Sequence, residues 1–123
     1  MEGELRQLDD KLIESAWFGA GALGVPLDYD SFWKPEALRA ADRFYTDDTH
    51  QLLHTREAGV YFQKIPEVYA DLGEILAGSK EGRRTPAERL VCMNLGIAME
   101  DMATAPLVLE RAVALGLGTS LPL

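Results

Sequence analysis

Several residues have types and spacings that could do chemistry. Gly19-Ala20-Gly21-Ala22-Leu23-Gly24 reads as G-x-G-x-x-G, the dinucleotide-binding fingerprint. In that motif the glycines turn the chain after a strand, a helix N-terminus faces the pyrophosphate, and an acid about 20 residues on holds the ribose. Asp47 stands at a suitable distance for that acid, but the flanks do not fit. The segment before Gly19 has helical periodicity and carries Asp9, Asp10 and Glu14, and Val25-Pro26-Leu27-Asp28 is a poor helix start. The match is read as accidental spacing.

His50 and His54, four apart on a predicted helix, would share a face and could chelate a metal. Gln51 stands where H-E-x-x-H enzymes carry their glutamate base, and Asp47 is the one further ligand near in sequence. Both histidines read as exposed helix residues, and no metal site is expected. Cys92, flanked by apolar residues, reads as a small core residue. Asp28 follows the apolar run Ala22 to Leu27, and the carboxyl edge of a parallel sheet is where α/β folds bind ligands. Aspartate is equally at home capping a turn, and position alone does not choose between the two roles. Asp101 falls among Ile97, Ala105 and Val108 inside the apolar arc of a helix, where a carboxylate needs donors or an interface. That makes it a structural rather than a catalytic candidate.

The elements that must position these residues follow from periodicity and caps. Leu5, Leu8, Leu12 and Ala16 predict an amphipathic helix from about Glu4 to Trp17. Ala22 to Leu27 predicts a strand, Pro35 to Ala41 a short helix, and Arg43 to Thr46 a second strand. Asp47 or Asp48 caps a helix to about Arg56. Pro66 opens a helix ended by Gly78. Thr85-Pro86-Ala87-Glu88 has the form of a capping box, yet Leu90 to Met93 suits a buried strand better, followed by a long helix from Gly96 to Leu115 that Pro106 should kink. The alternation of strands and helices gives an α/β class with parallel pairing, and about three strands are readable.

The chain has 123 residues, enough for one modest domain, with 47% hydrophobic and 26% charged residues. Its net charge of −8 opposes phosphate backbones, so no nucleic-acid partner is expected. The basic stretch Lys80 to Arg84 is interrupted by Glu81 and reads as a solvated loop. A single cysteine suits a reducing compartment, and no signal peptide or membrane span is readable, so a cytoplasmic location is expected.

The second half resembles the ornithine cyclodeaminase/mu-crystallin family. Asp71-Leu72-Gly73-Glu74-Ile75-Leu76-Ala77-Gly78, then Gly82-Arg83, then Asn94-Leu95-Gly96-Ile97-Ala98-Met99-Glu100-Asp101 are similar to the family's L-G-E-h-h-A-G helix end, G-R loop and S-V-G-x-A-x-x-D turn. Gly21 to Asp28 and Ala41-Asp42-Arg43-Phe44 are similar to its late Rossmann strands. Within the family, the Leu27-Asp28-Tyr29-Asp30-Ser31-Phe32-Trp33 run and the Leu121-Pro122-Leu123 ending are most similar to members described as tyramine oxidase subunits.

The resemblance implies the C-terminal part of a Rossmann-like parallel sheet with flanking helices and a long C-terminal helix. Residues from about 12 to 93 would end an NAD(P)-binding domain, and residues from about 94 to 123 would return to a dimerisation and substrate domain. It implies NAD or NADP as cofactor, an amino-acid-like or cyclic-imine substrate, and transient hydride transfer. Asp28 aligns with the family's proton-transfer aspartate, and Asn94, Leu95 and Gly96 with the turn beside the nicotinamide. It also implies a homo-oligomer, or association with a chain supplying the missing Rossmann half. The departures are plain: Asn94 replaces a serine, the stretch after Asp28 lacks the family's P-G-K, and the phosphate-binding fingerprint belongs upstream of these motifs. On its own, the chain is expected to be inactive. The competing expectation is a non-catalytic subunit or interaction module that keeps only the fold.

Overall fold

The computed structural model describes residues 11–122. Four short strands, β1 (Leu23–Gly24), β2 (Arg43–Thr46), β3 (Ala70–Asp71) and β4 (Leu90–Met93), form one sheet in the order β1-β4-β2-β3. All three pairings are parallel, with Leu23 opposite Leu90, Arg43 opposite Leu90, and Tyr45 opposite Ala70. The helices are α1 (Pro35–Arg39), α2 (Thr49–Glu57), α3 (Leu72–Leu76) and α4 (Ala98–Ala114).

The two central strands, β4 and β2, are buried on both faces, as parallel strands between helices are. Every residue of β2 and of β4 is buried. Alternation along each strand sends Phe44, Val91 and Met93 to one face, where they pack with Leu38 of α1, Leu52 of α2, Phe18, Phe62 and Ile65. Tyr45, Leu90 and Cys92 join Ala70 on the other face, covered by Tyr69, Leu72 and Ile75. Local signals explain several elements. Pro35 stands in the first turn of α1, Asp48 caps α2 through the Gln51 N–H at 2.9 Å, and Asp71 and Glu74 form a reciprocal capping box on α3.

The sequence expectations need four corrections. The sheet has four strands rather than about three, because Tyr69 donates its N–H to the Phe44 carbonyl at 2.8 Å and draws the following residues into β3. The helix expected from Pro66 therefore starts only at Leu72, and it still ends at a left-handed Gly78 (φ 74°). The helix expected from Glu4 to Trp17 lies partly outside the described residues. Over its described part, Ile13 bridges to Trp33 and only Ser15–Trp17 forms a 3-10 turn. Finally, the strand expected over Ala22 to Leu27 is regular only over Leu23–Gly24, while Thr85 to Ala87 makes a turn ahead of β4, the strand favoured over Leu90 to Met93.

A buried arginine fastens the loop before β4. Arg43 is paired with Glu88 at 2.9 Å, donates to the carbonyls of Glu81 and Gly82, and lies 5.3 Å from the centre of the Tyr69 ring. Glu88 also accepts the N–H groups of Arg84 (2.6 Å) and Thr85 (3.3 Å). Its carboxyl is held below the ordinary value of 4.5, first by the Arg84 N–H, against the opposing effect of desolvation, and then by Thr85 and Arg43.

Candidate functional site

Gly24 does not stand in a phosphate loop. It lies within β1, and a Cβ there would come within 2.5 Å of the Trp33 ring. Gly21 is left-handed (φ 79°), and its Cβ would meet the Pro86 carbonyl oxygen at 2.7 Å. Both glycines therefore answer to packing by their own chain, and the segment after Gly24 continues extended rather than helical. His50 and His54 are exposed on α2. Among the described residues, no group of three His, Cys, Asp or Glu side chains is placed to hold a metal ion.

The carboxyl ends of β1 and β4 lie side by side. Past the last regular strand residues, Asn94 donates its N–H to the Pro26 carbonyl at 3.0 Å. This brings the segment leading to Asp28 against the Asn94-Leu95-Gly96 turn. Asp28 is exposed at a hollow of about 260 Å³ walled by Val25, Leu27, Tyr29, Phe32 and Trp33. Its backbone carbonyl closes a turn with the Ser31 N–H at 3.2 Å, whereas its carboxylate accepts no hydrogen bond among the described residues. The side chain is therefore not a cap. A larger hollow of about 540 Å³ opens at the amino ends of β2 and β3, away from this edge.

The loop carrying Asp28 is held in a costly conformation. Tyr29 (φ 52°) and Phe62 (φ 62°) are both left-handed, which is rare for bulky residues. Such residues cost about 1–3 kcal/mol each and cluster at functional sites. The two rings pack with centroids 5.0 Å apart, and the buried Asp30 accepts the Phe62 N–H at 3.2 Å while pairing with Lys11 at 3.1 Å. None of this was legible in the sequence, since no local pattern announces a left-handed tyrosine.

Asn94, Leu95 and Gly96 link β4 to α4, with Gly96 left-handed at φ 84°. The N–H groups of Leu95 and Gly96 both donate to Asp47 Oδ2, at 2.7 and 2.8 Å. Asp47 thus neither faces a ribose nor caps α2; it braces the turn. Asn94 Oδ1 accepts from the Cys92 thiol at 3.2 Å. Burial first, then the negative charges of Asp47 and Glu100, push the Cys92 thiol up to about 11. Asp101, expected among apolar neighbours, is exposed, because no residue of α4 is buried. Helix α4 continues through Pro106, and Met102, Leu109 and Val113 lie on its open surface.

Fold and site together define a class: a parallel α/β sheet with helices on both faces and an exposed carboxylate at its carboxyl edge. The sequence profile of the ornithine cyclodeaminase/mu-crystallin family matches residues 15–116, and the chain belongs to that family. It is 27% identical over 114 residues to the nodulation efficiency protein NfeD of Rhizobium meliloti, covering 92% of this chain and 35% of the relative. Over 90 residues it is 32% identical to the alanine dehydrogenase of Archaeoglobus fulgidus, covering 70% of this chain and 28% of the relative. Among solved structures, the Δ1-pyrroline-2-carboxylate reductase of Thermococcus litoralis, in complex with NADH and L-proline, shares the fold. Its TM-score is 0.62 at 24% identity, over 90% of this chain and 37% of that one. The chain thus spans about a third of the length of the curated relatives it matches. No helix among the described residues is long and apolar enough to cross a membrane.

Proposed function

We infer that the chain is the C-terminal portion of an NAD(P)-dependent ornithine cyclodeaminase-like enzyme acting on an amino acid or cyclic imine. The observation that carries this reading is the junction of Asp28 with the Asn94–Gly96 turn at the carboxyl edge of the sheet, joined through Pro26 and Asn94. The residues present fit only the nicotinamide end of a dinucleotide, since Gly21 and Gly24 are closed by Pro86 and Trp33. When bound, the cofactor supplies a hydride acceptor and donor.

This chain's own residues do the rest. Asp28 takes a proton from the substrate nitrogen as an amine becomes an imine and returns it on reversal. Apolar side chains line the open hollow beside it. Because Asp47 takes the amides of Leu95 and Gly96 and the Leu95 side chain packs against the core, the turn would meet the cofactor through Asn94. The phosphate-binding loop comes from chain outside these 123 residues or from a partner subunit, in a cytoplasmic homo-oligomer. The narrower likeness to tyramine oxidase subunits adds no substrate to this reading. The alternative, a non-catalytic module, is favoured by one feature, the open apolar surface of α4.

Fluorescence titration with NADH tests the reading. The 123-residue chain alone is expected not to bind, and the same chain supplied with a family dinucleotide-binding half is expected to bind. Binding by the chain alone would restore a cofactor role to Gly19–Gly24. Failure of the completed protein to bind would favour the non-catalytic module.

A further inference from the structure

Asp47 directly follows β2 and is only 7% exposed, with all its acceptor positions in use. Oδ2 accepts the N–H groups of Leu95 and Gly96, while Oδ1 accepts the Asp48 N–H at 3.0 Å and the Thr46 hydroxyl at 3.2 Å. Two consecutive backbone amides converging on one oxygen form the kind of cradle that elsewhere receives phosphate or carboxylate ligands. Here the anion belongs to the chain itself. Gly96 has open space where a Cβ would stand, so its glycine serves the left-handed backbone that turns its N–H inward.

We propose that Asp47 is the positioning residue of the candidate site, a built-in anion whose carboxylate fixes the Asn94-Leu95-Gly96 turn. This rests on the reading that the turn lies beside the nicotinamide. Apart from the Leu95 side chain, which packs against the core, the turn has few other anchors. Helix α4 buries no residue and gives it no support. Among the described residues, its remaining polar ties are the Asn94 N–H to Pro26 and the Cys92 thiol to Asn94. Hydrogen bonds to an ionised acceptor are short and about twice as strong as neutral ones, and the 2.7 and 2.8 Å separations are of that kind. Asp47 reaches neither substrate nor cofactor in this arrangement; it acts through the backbone it holds.

The test uses the complete protein, with Asp47→Ala and the milder Asp47→Asn, which keeps one oxygen for the amides. Hydrogen exchange at Leu95 and Gly96 is expected to accelerate at least tenfold in Asp47→Ala and less in Asp47→Asn. Hydride-transfer rate is expected to fall in the same order. Added acetate, a free carboxylate of matching shape, is expected to restore both protection and rate in Asp47→Ala, whereas sodium chloride at equal ionic strength is not. The proposal is overturned if both amides stay protected in Asp47→Ala. It is equally overturned if protection is lost while NADH affinity and hydride-transfer rate hold, or if acetate restores neither. Should the wild-type complete protein fail to bind NADH, the enzyme reading itself falls, and the positioning role falls with it. The exchange measurement still reports whether the carboxylate holds the turn.

Discussion

The Asn94 N–H donates to the Pro26 carbonyl oxygen at 3.0 Å, and the Leu90 N–H donates to the Ala22 carbonyl at the same distance. Between these two bonds β1 and β4 run together over more than the two residues that count as regular strand in β1. Of the strand expected over Ala22 to Leu27, Leu23–Gly24 is regular and hydrogen bonding to β4 extends from Ala22 to Pro26. Pro26, lacking an N–H, accepts from Asn94 without donating in return. The pairing ends at the point where the chain swings out to Asp28.

Replacing Asp28 with asparagine in the complete protein keeps the shape of the side chain and removes its capacity to take a proton. Turnover is expected to drop at least about 100-fold, the usual scale of a lost acid–base group. NADH affinity should stay within a few-fold, since the exposed carboxylate braces nothing else. Steady-state kinetics beside an NADH titration separates the two effects. Undiminished turnover removes Asp28 from proton transfer.

Gly24→Ala drives a methyl group into the Trp33 ring, which itself packs edge-on against Phe18 at 5.8 Å. Overpacking of this kind costs about 1–3 kcal/mol. The urea midpoint should fall accordingly, and Trp33 fluorescence should change. Gly19→Ala meets nothing within 4 Å and is expected to stay within about 0.5 kcal/mol of wild type. Equal effects at the two positions would contradict the packing account of the glycine pattern.

These contrasts show where the sequence was readable. Arg43 to Thr46 and the helix after Asp48 were legible because their signals are local, an apolar-compatible run and a side-chain cap. Strand β3 was not, since two residues carry no period and Ala70 becomes a strand only through Tyr45. Val68, Leu72, Ile75 and Leu76 suggested a longer helix, and the Phe44 carbonyl overrode it. At the site, the place of Asp28 after an apolar run was readable, but not which role that place gives it. The grip of Asp47 on Leu95 and Gly96 was hidden, because its partners lie 48 and 49 positions away.

Acid should release the loop before β4 ahead of global unfolding. Glu88 has a folded value below its ordinary one, so its contribution is full above the unfolded value of 4.5 and is lost as pH falls through the folded one. Amide exchange at Arg84 and Thr85, whose N–H groups Glu88 accepts, is expected to lose protection before the sheet does as pH falls. Glu88→Gln removes that dependence and leaves Arg43 buried without its partner charge. A loop whose protection ignores pH in the wild type would contradict this.

Helix α4 leaves Met102 (73% exposed), Leu109 (66%) and Val113 (70%) open to solvent. Exposed apolar surface of this extent promotes association, so the 123-residue chain alone is expected to self-associate. Met102→Lys combined with Leu109→Lys should raise the monomer fraction in sedimentation velocity runs without altering the cooperative unfolding of the sheet. A chain that is monomeric before substitution would count against it.

The order of the sheet also fixes an order of events during synthesis. Among the described residues, β4 comes last in sequence, yet it sits between β1 and β2. Of the described strands, Leu23 pairs only with Leu90 of β4, and Arg43 pairs with the same residue. Before β4 is made, the described strands can close only the β2–β3 pair, and β1 meets its described partner once translation passes Met93. Such late, distant pairing slows folding and lengthens the time a nascent chain is vulnerable to aggregation. Production of this protein should therefore respond to chaperone supply.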